Sequence, residues 1–454
     1  MTQPILPDTS SLGLAEPAME ARTVAKILWR LLPLIVALYI CNYLDRVNVS
    51  FAKLTMNADL RFSDEVYGLG AGIFFVAYFL FEVPSNLIMQ RVGARRWLAR
   101  IMISWGLVSS AMVFIHSPWS FYVLRFLLGV AEAGFAPGIL LYLTYWLPLR
   151  AQGRAVAWFL TSIALAGVLG SPLAGLLLKL DGIPFIYWPL HGWQWLFLLE
   201  GLPSVIGGCV VLALLPDGPA QARWLSDNEK SWLAQRLQDE HASRQTQGHT
   251  SLWAGLFSGQ VLMLSLIYGL LMFAFQGLLY WMPTLIKQGT GLKDDLQISL
   301  LTILPYASAA LAMVLVGRHS DRHGERRWHV VTCCLLGAAA LTACTFTTSP
   351  LLILVSLCLA AAAVFSTLGP FWAIPPGFLV GTAAAAGLAL INSAGNLGGG
   401  FLGPYLMGVA KDRSPTHSSA VGLWLDAAAL AIAALLVARL HTLKAPSPHP
   451  ELLA

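Results

Sequence analysis

Charge is what this sequence has least of. Asp, Glu, Lys and Arg make up 11% of its 454 residues, where soluble domains carry about 25%. With apolar residues at 57% and a mean hydropathy of +0.68, that scarcity excludes an ordinary soluble protein. The 28 Lys and Arg are spread over many short loops, so the formal charge of +5 forms no basic domain and excludes a nucleic-acid-binding role. Cysteine is sparse as well. Cys41, Cys209, Cys333, Cys334, Cys344 and Cys358 all lie in apolar stretches without a CxxC, which excludes a disulfide framework and a zinc site. Alternating strands are missing, the apolar runs being long and continuous, so an outer-membrane barrel is excluded too. The glycine-rich stretches Gly167–Gly175 and Gly395–Gly400 follow no strand and precede no Lys-Ser/Thr. They read as sites of close helix packing, and no ATP-binding motif is present. Residues 1–21 are polar and the first apolar stretch contains Asp45 and Arg46, unlike a cleavable signal, so the first helix is expected to be retained.

What is there is a series of apolar windows. About twelve helices of roughly 20 residues would use about 240 positions. Windows of that size fall at 31–51, 66–90, 97–115, 119–147, 153–178 and 193–215, and again at 256–286, 296–316, 328–348, 351–372, 380–408 and 420–441. Between the two sets, 216–251 is polar and mixed in charge, and within it Ser226 to Leu237 reads as a short helix with a capping box of Ser226 and Glu229. The expected division is a segment 1–30, a six-helix bundle 31–215, a linker 216–251, a second bundle 252–441 and a tail 442–454. Lys and Arg number 19 on the side holding the N-terminus and 7 on the other, with Arg46 and Arg125 inside helices. Such residues accumulate on the cytoplasmic side, which places the linker and both termini there.

The chain also repeats itself. Arg91-Val-Gly93-Ala-Arg95-Arg96-Trp97 after the second helix recurs as Arg322-His-Gly324-Glu-Arg326-Arg327-Trp328 after the eighth, 231 residues later. Two six-helix halves of parallel orientation, with a site between them near the midplane, are the expected all-α architecture.

The loop Gly317-Arg-His-Ser-Asp321-Arg322-His-Gly324-Glu-Arg326-Arg327 resembles the signature of the major facilitator superfamily. Its first-half partner departs from that signature at Asn86 and Gln90. Phe81-Glu82-Val-Pro84-Ser85-Asn86, Tyr43-Leu-Asp45-Arg46-Val-Asn48, Arg125-Phe-Leu-Leu-Gly129-Val-Ala-Glu132-Ala-Gly134-Phe-Ala-Pro137-Gly138 and Asn392-Ser-Ala-Gly395-Asn396-Leu-Gly398-Gly399 resemble its anion:cation symporter family. Closest in character are bacterial proton-linked permeases for tartrate, sugar acids or hydroxyphenylacetate. The resemblance implies helices 1 and 4 around a central cavity, in a monomeric bacterial inner-membrane transporter whose partners are an organic anion, protons and the bilayer.

A charge at the bilayer centre costs about 2.5–3.5 kcal/mol on the gentler insertion scale, so each such residue needs a partner or a use. Arg125 and Glu132 are seven apart and share a helix face, whereas the adjacent Asp45 and Arg46 point about 100° apart. Given the resemblance, Arg46 and Arg125 are expected to attract a carboxylate, and Asp45 and Glu132 to bind the coupling protons. Structural salt bridges are the alternative. The 231-residue offset maps Asp45 to Gln276, Arg125 to Ser356 and Glu132 to Ala363, so the second half has lost these charges. Gln276, Tyr280, Trp281, Asn392 and Asn396 are its candidate substrate contacts, although such residues also serve as interhelical glue. Glu82 and Glu200, each beside a helix-bending proline, are assigned structural or gating roles, as are Arg91, Gly93, Arg95, Asp321, Arg322, Gly324 and Arg326. Asp426 is expected at the membrane interface, and His319, His323 and His329 as solvated loop residues rather than metal ligands. No cofactor is expected beyond H⁺. The expected function is secondary uptake of an organic anion with protons, with exchange or efflux as the alternative and a membrane-embedded enzyme or receptor as the distant one.

Overall fold

The computed structural model describes residues 9–185, 188–245, 258–375 and 382–440. The tail 442–454 and linker residues 246–251 lie outside them. The first half consists of α1 (Thr9–Leu60), α2 (Asp64–Val92), α3 (Ala94–Ala111), α4 (Pro118–Glu132), α5 (Phe135–Thr144), α6 (Leu149–Leu178) and α7 (Gly192–Leu214). After the linker helix α8 (Asp227–Gln245) come α9 (Gly259–Thr290), α10 (Asp295–His323), α11 (Arg327–Thr345), α12 (Pro350–Ser366), α13 (Leu368–Trp372), α14 (Thr382–Ala394), a π-helical turn Gly395–Phe401, α15 (Leu402–Arg413) and α16 (Ala420–Ala438). Among the described residues, 11 passages are long and apolar enough to cross a membrane. The twelfth runs through α14, the π turn and α15. Twelve crossings in two halves are therefore present.

Local chemistry sets the helix ends. Ser63 accepts the Val66 N–H at 3.1 Å and Asp64 and Glu65 fill the first turn of α2, satisfying the N-terminal amides and the helix dipole. The repeated loops end α2 and α10 on Gly93 (φ +97°) and Gly324 (φ +64°), backbone conformations that a side chain disfavours. The repeat thus marks equivalent helix stops.

Three local features differ from the sequence reading. Helix 1 starts well upstream of residue 31. The fourth passage is not continuous, because α4 ends at Glu132, Gly134 is left-handed (φ +88°) and α5 restarts at Phe135. Pro137 cannot donate to the carbonyl of Ala133, which leaves the chain free to break there. A two-strand antiparallel hairpin pairs Pro184–Phe185 with Trp188–Pro189, with no counterpart in the apolar windows.

The halves meet along two seams, α2 with α15 and α6 with α10. Glycines allow both. A Cβ on Gly68 would stand 2.5 Å from the Pro404 carbonyl oxygen, and one on Gly167 or Gly175 would reach Tyr306 or Ser299 within 2.7 Å. The linker helix clasps the end of the molecule that carries the N-terminus. Ser226 and Glu229 form the expected capping box, Ser226 N–H donating at 2.8 Å, and Glu229 also pairs with Lys26 of α1 at 2.9 Å. The Ser226 amide and then Lys26 hold the Glu229 carboxyl below the usual carboxylate range. Glu240 accepts the Leu149 N–H at the start of α6 at 3.0 Å.

Candidate functional site

α1 and α4 bring three of the expected charges together. Arg46 is ion-paired with Glu132, and Arg125 lies one face along the same helix as Glu132, fully buried. Phe74 of α2 stands between the two guanidinium groups, 5.3 Å from that of Arg46 and 5.0 Å from that of Arg125. Tyr43 and Tyr78 add two further rings 5.2 and 5.3 Å from Arg46, so a desolvated cation is held by π faces as well as by its acid. Arg125 donates through Nε to the Gly70 carbonyl at 3.1 Å and through Nη2 to the Ala71 carbonyl at 3.2 Å.

Several buried polar atoms of this cluster have no partner among the described residues: Arg46 Nε, Arg125 Nη1, Glu132 Oε2, Gln276 Oε1 and the Tyr280 hydroxyl. Tyr280 lies within the field of both arginines, its ring 6.0 Å from Phe75, and its carbonyl accepts from Tyr67 at 2.8 Å. Gln276 is one turn before Tyr280 on α9 and shares its face. Unpaired buried donors and acceptors are costly. Their convergence between the halves supplies what a polar ligand would satisfy.

Other expected site residues are placed elsewhere. Asp45 turns away from Arg46 into the first half, accepting hydrogen bonds from Trp105 Nε1 at 2.9 Å, Ser109 at 2.7 Å and Ser204 at 2.5 Å. Glu200, beside Asn48, is in that same interior. Trp281 donates to the Pro404 carbonyl at 3.3 Å and lies under the Lys53 ammonium, 3.2 Å from its ring centre. It belongs to the closed end of the molecule, not to the arginine cluster. Asn392 donates to Glu82 at 3.0 Å, and Asn396 approaches the same carboxyl, so a residue expected to hold substrate and one expected to gate form a clasp between the halves. In the repeated loops Arg95 reaches the Leu212 carbonyl at 2.5 Å and its amide reaches Asp217 at 2.8 Å. Arg326 pairs with Asp321 at 2.6 Å, while Arg91 and Arg322 are exposed. His319 and His329 share a hydrogen bond of 2.7 Å.

The sequence reading missed a second charged cluster. At the end away from the linker, Asp64 of α2 bridges Lys53 of α1 at 2.7 Å and Lys411 of α15 at 2.6 Å. Asp412 caps the same helix start, accepting the Asp64 and Glu65 amides at 3.2 and 2.6 Å. Lys53 and Lys411, two of the 7 cations counted on the side away from the N-terminus, are buried, and Asp426, expected at the interface, is fully buried. Each lies within a few turns of a helix end, where the sequence alone does not distinguish an interfacial charge from one covered by a neighbouring helix. The cluster joins the halves and closes this end over the arginine site.

The sequence profile of the Major Facilitator Superfamily matches residues 35–401 and 292–453. A protein of Agrobacterium vitis, provisionally named a tartrate transporter, is 48% identical over 93% of this chain and 92% of its own length. A protein of Acinetobacter baumannii named a quinolone resistance transporter is 43% identical over 89% of this chain and 92% of its own. Among solved structures, the xylose transporter XylE from E. coli, in a partially occluded inward-open conformation, superposes with a TM-score of 0.74 at 14% identity, covering 93% of this chain and 100% of that one.

Proposed function

The chain belongs to the major facilitator superfamily and is an integral membrane transporter, not an enzyme, and from that premise we propose that it takes up an organic carboxylate together with protons by alternating access. The observation that carries this reading is in the buried cluster: Arg46 is ion-paired with Glu132, while Arg125, fully buried, has no ion-pair partner among the described residues. An anion fits that arginine, and a planar guanidinium meets a carboxylate through two parallel hydrogen bonds. A substrate carboxylate competes with Glu132 for the arginines. Glu132, deprived of its partner in a buried site, then takes up a proton. Anion and proton bind each other's complex more tightly than the empty carrier, as symport requires.

Gln276 and Tyr280 contact the remainder of the substrate, and the Glu82–Asn392 clasp and the Asp64 cluster open in turn. The linker end faces the cytoplasm of a bacterial inner membrane, the transporter works as a monomer, and no cofactor is involved beyond H⁺. The tartrate-named relative favours a hydroxylated carboxylic acid. The relative named for quinolone resistance favours a second reading, export of an anion by the same site.

Proteoliposomes given radiolabelled tartrate and an inward-directed proton gradient decide between these readings. Accumulation that collapses with a protonophore is expected. Tartrate-independent behaviour, or movement only outward with protons entering, overturns the uptake reading.

A further inference from the structure

Asp426 of α16 is fully buried, and neither carboxylate oxygen has a hydrogen-bond partner among the described residues. It sits directly against α9: a Cβ on Gly277 would stand 2.8 Å from both oxygens. Gly403 of α15 approaches the same turn, its own Cβ position 3.2 Å from the Gly277 amide. Three helices thus converge on one glycine with a carboxyl group between them. That glycine lies between Gln276 and Tyr280, the residues of α9 that face the arginine site.

No cation compensates this acid. The titratable side chains on the helices packed around it are Tyr268, Tyr280 and Lys287 on α9, Tyr405, Lys411, Asp412 and Arg413 on α15, and Arg327, His329, Cys333, Cys334 and Cys344 on α11. Lys287 pairs with Asp295 and Lys411 with Asp64, and among the described residues no side chain forms an ion pair or hydrogen bond with Asp426. An ionised carboxylate so placed would forfeit its hydration for nothing, so the group carries a proton instead. A metal ion is no substitute. Alkali and alkaline-earth cations need about six oxygens, whereas the carbonyls of α9 are engaged in the helix and only the two carboxyl oxygens are free.

We propose that Asp426, seated against Gly277, is a second proton-binding site, in the C-terminal half, which keeps its proton while the Asp64 end is closed and exchanges it when that end opens and α9 turns away from α16. This extends the proton-coupled reading of the Arg46–Glu132 cluster and rests on it for its role in transport. Its occupancy, though, is independent of any substrate. The geometry gives the site a means of reporting to the other half: a charge appearing on Asp426 acts on the turn of α9 that carries Gln276 and Tyr280.

Infrared spectroscopy of the purified full chain at neutral pH tests this without a substrate. Wild type is expected to show a protonated-carboxyl C=O band that Asp426→Asn lacks. On transfer to D2O that band should shift slowly in wild type and at least tenfold faster in Lys411→Ala, which loosens the closed end. A band unaltered by Asp426→Asn shows the acid to be ionised and overturns the proposal. Equal exchange rates in wild type and Lys411→Ala also overturn it, by making Asp426 a fixed neutral acid. If Asp426→Asn does not survive purification, Asp426→Cys removes the acid with a smaller side chain and answers the same question. Failure of wild type to accumulate tartrate under a proton gradient would instead overturn the uptake reading and leave the infrared result standing.

Discussion

Glu132 pairs with Arg46 on α1, while Arg125, seven residues earlier on its own helix, is anchored to the backbone carbonyls of Gly70 and Ala71. The two arginines therefore have different duties. Arg46 has its charge neutralised within the protein, whereas Arg125 has no ion-pair partner among the described residues. Phe74 between them fixes their separation without adding a charge.

Arg125→Lys keeps the charge but loses both the planar fork and the two anchoring bonds to α2. Truncating one side of a desolvated charge contact costs about 2–5 kcal/mol, so tartrate affinity in a binding assay should fall at least about 30-fold. Wild-type affinity in the lysine variant would move the anion site away from Arg125.

Asp64→Asn removes the acid that Lys53 and Lys411 share. Two buried ammonium groups are then left facing each other, a penalty on the order of 3 kcal/mol for the closed arrangement. A cysteine introduced at Thr284, about one turn from Trp281, should become reactive to a small aqueous thiol reagent in this variant and stay protected otherwise. Equal reactivity would mean that the cluster does not hold this end shut.

Much of this was legible from the sequence, and the limits have physical causes. Twelve apolar passages, the repeated loop and the pair Arg125 and Glu132 stand out because charge inside a long apolar run is expensive and rare. Which neighbour each charge faces does not stand out. Asp45 and Arg46 are adjacent, and a rotation of about 100° per residue sends one to Ser109 and Ser204 and the other to Glu132. Lys53 and Lys411 read only as cations on the side away from the N-terminus because the acid that buries them, Asp64, lies on another helix. The break after Glu132 had a visible signal in Gly134 and Pro137, masked by the apolar run continuing through them.

Asp45→Asn tests the placement of the first of those neighbours. Three donors converge on its two oxygens, and an amide turns one acceptor into a donor, so at least one of Trp105, Ser109 and Ser204 is left facing an N–H. An unsatisfied buried group costs about 1–3 kcal/mol, and thermal unfolding should come several degrees earlier. A variant with unchanged thermal stability but no proton-driven accumulation would instead make Asp45 a coupling acid.

The linker clasp is sensitive to acid. Glu229 has a folded-state carboxyl held below its ordinary value, so its contribution is complete above that ordinary value and is lost as pH falls through the depressed one, below about pH 4. Protease cleavage within α8 should rise there in wild type and be high at every pH in Glu229→Gln. The same helix reports sidedness. A cysteine at the exposed Asp227 should resist an impermeant reagent in intact cells and react after lysis; Thr246, a natural choice from the sequence, lies outside the described residues.

Glu132→Gln separates binding from coupling. The amide resembles the protonated acid in shape and charge, so Arg46 loses its ion pair but keeps a hydrogen-bond acceptor, and the site gains positive charge that favours the anion. Tartrate should still bind, at least as well as to wild type at neutral pH, and with its pH dependence flattened. Exchange between labelled and unlabelled pools should continue, since the loaded carrier can reorient without a proton change. Accumulation under an inward proton gradient should fail, because the empty carrier no longer has to release a proton before it returns. Arg46→Gln is the complementary variant: it leaves Glu132 without its ion-pair partner, so coupling should again be lost, this time with weakened anion binding. Glu132→Gln vesicles that concentrate tartrate as well as wild type would remove Glu132 from the proton pathway.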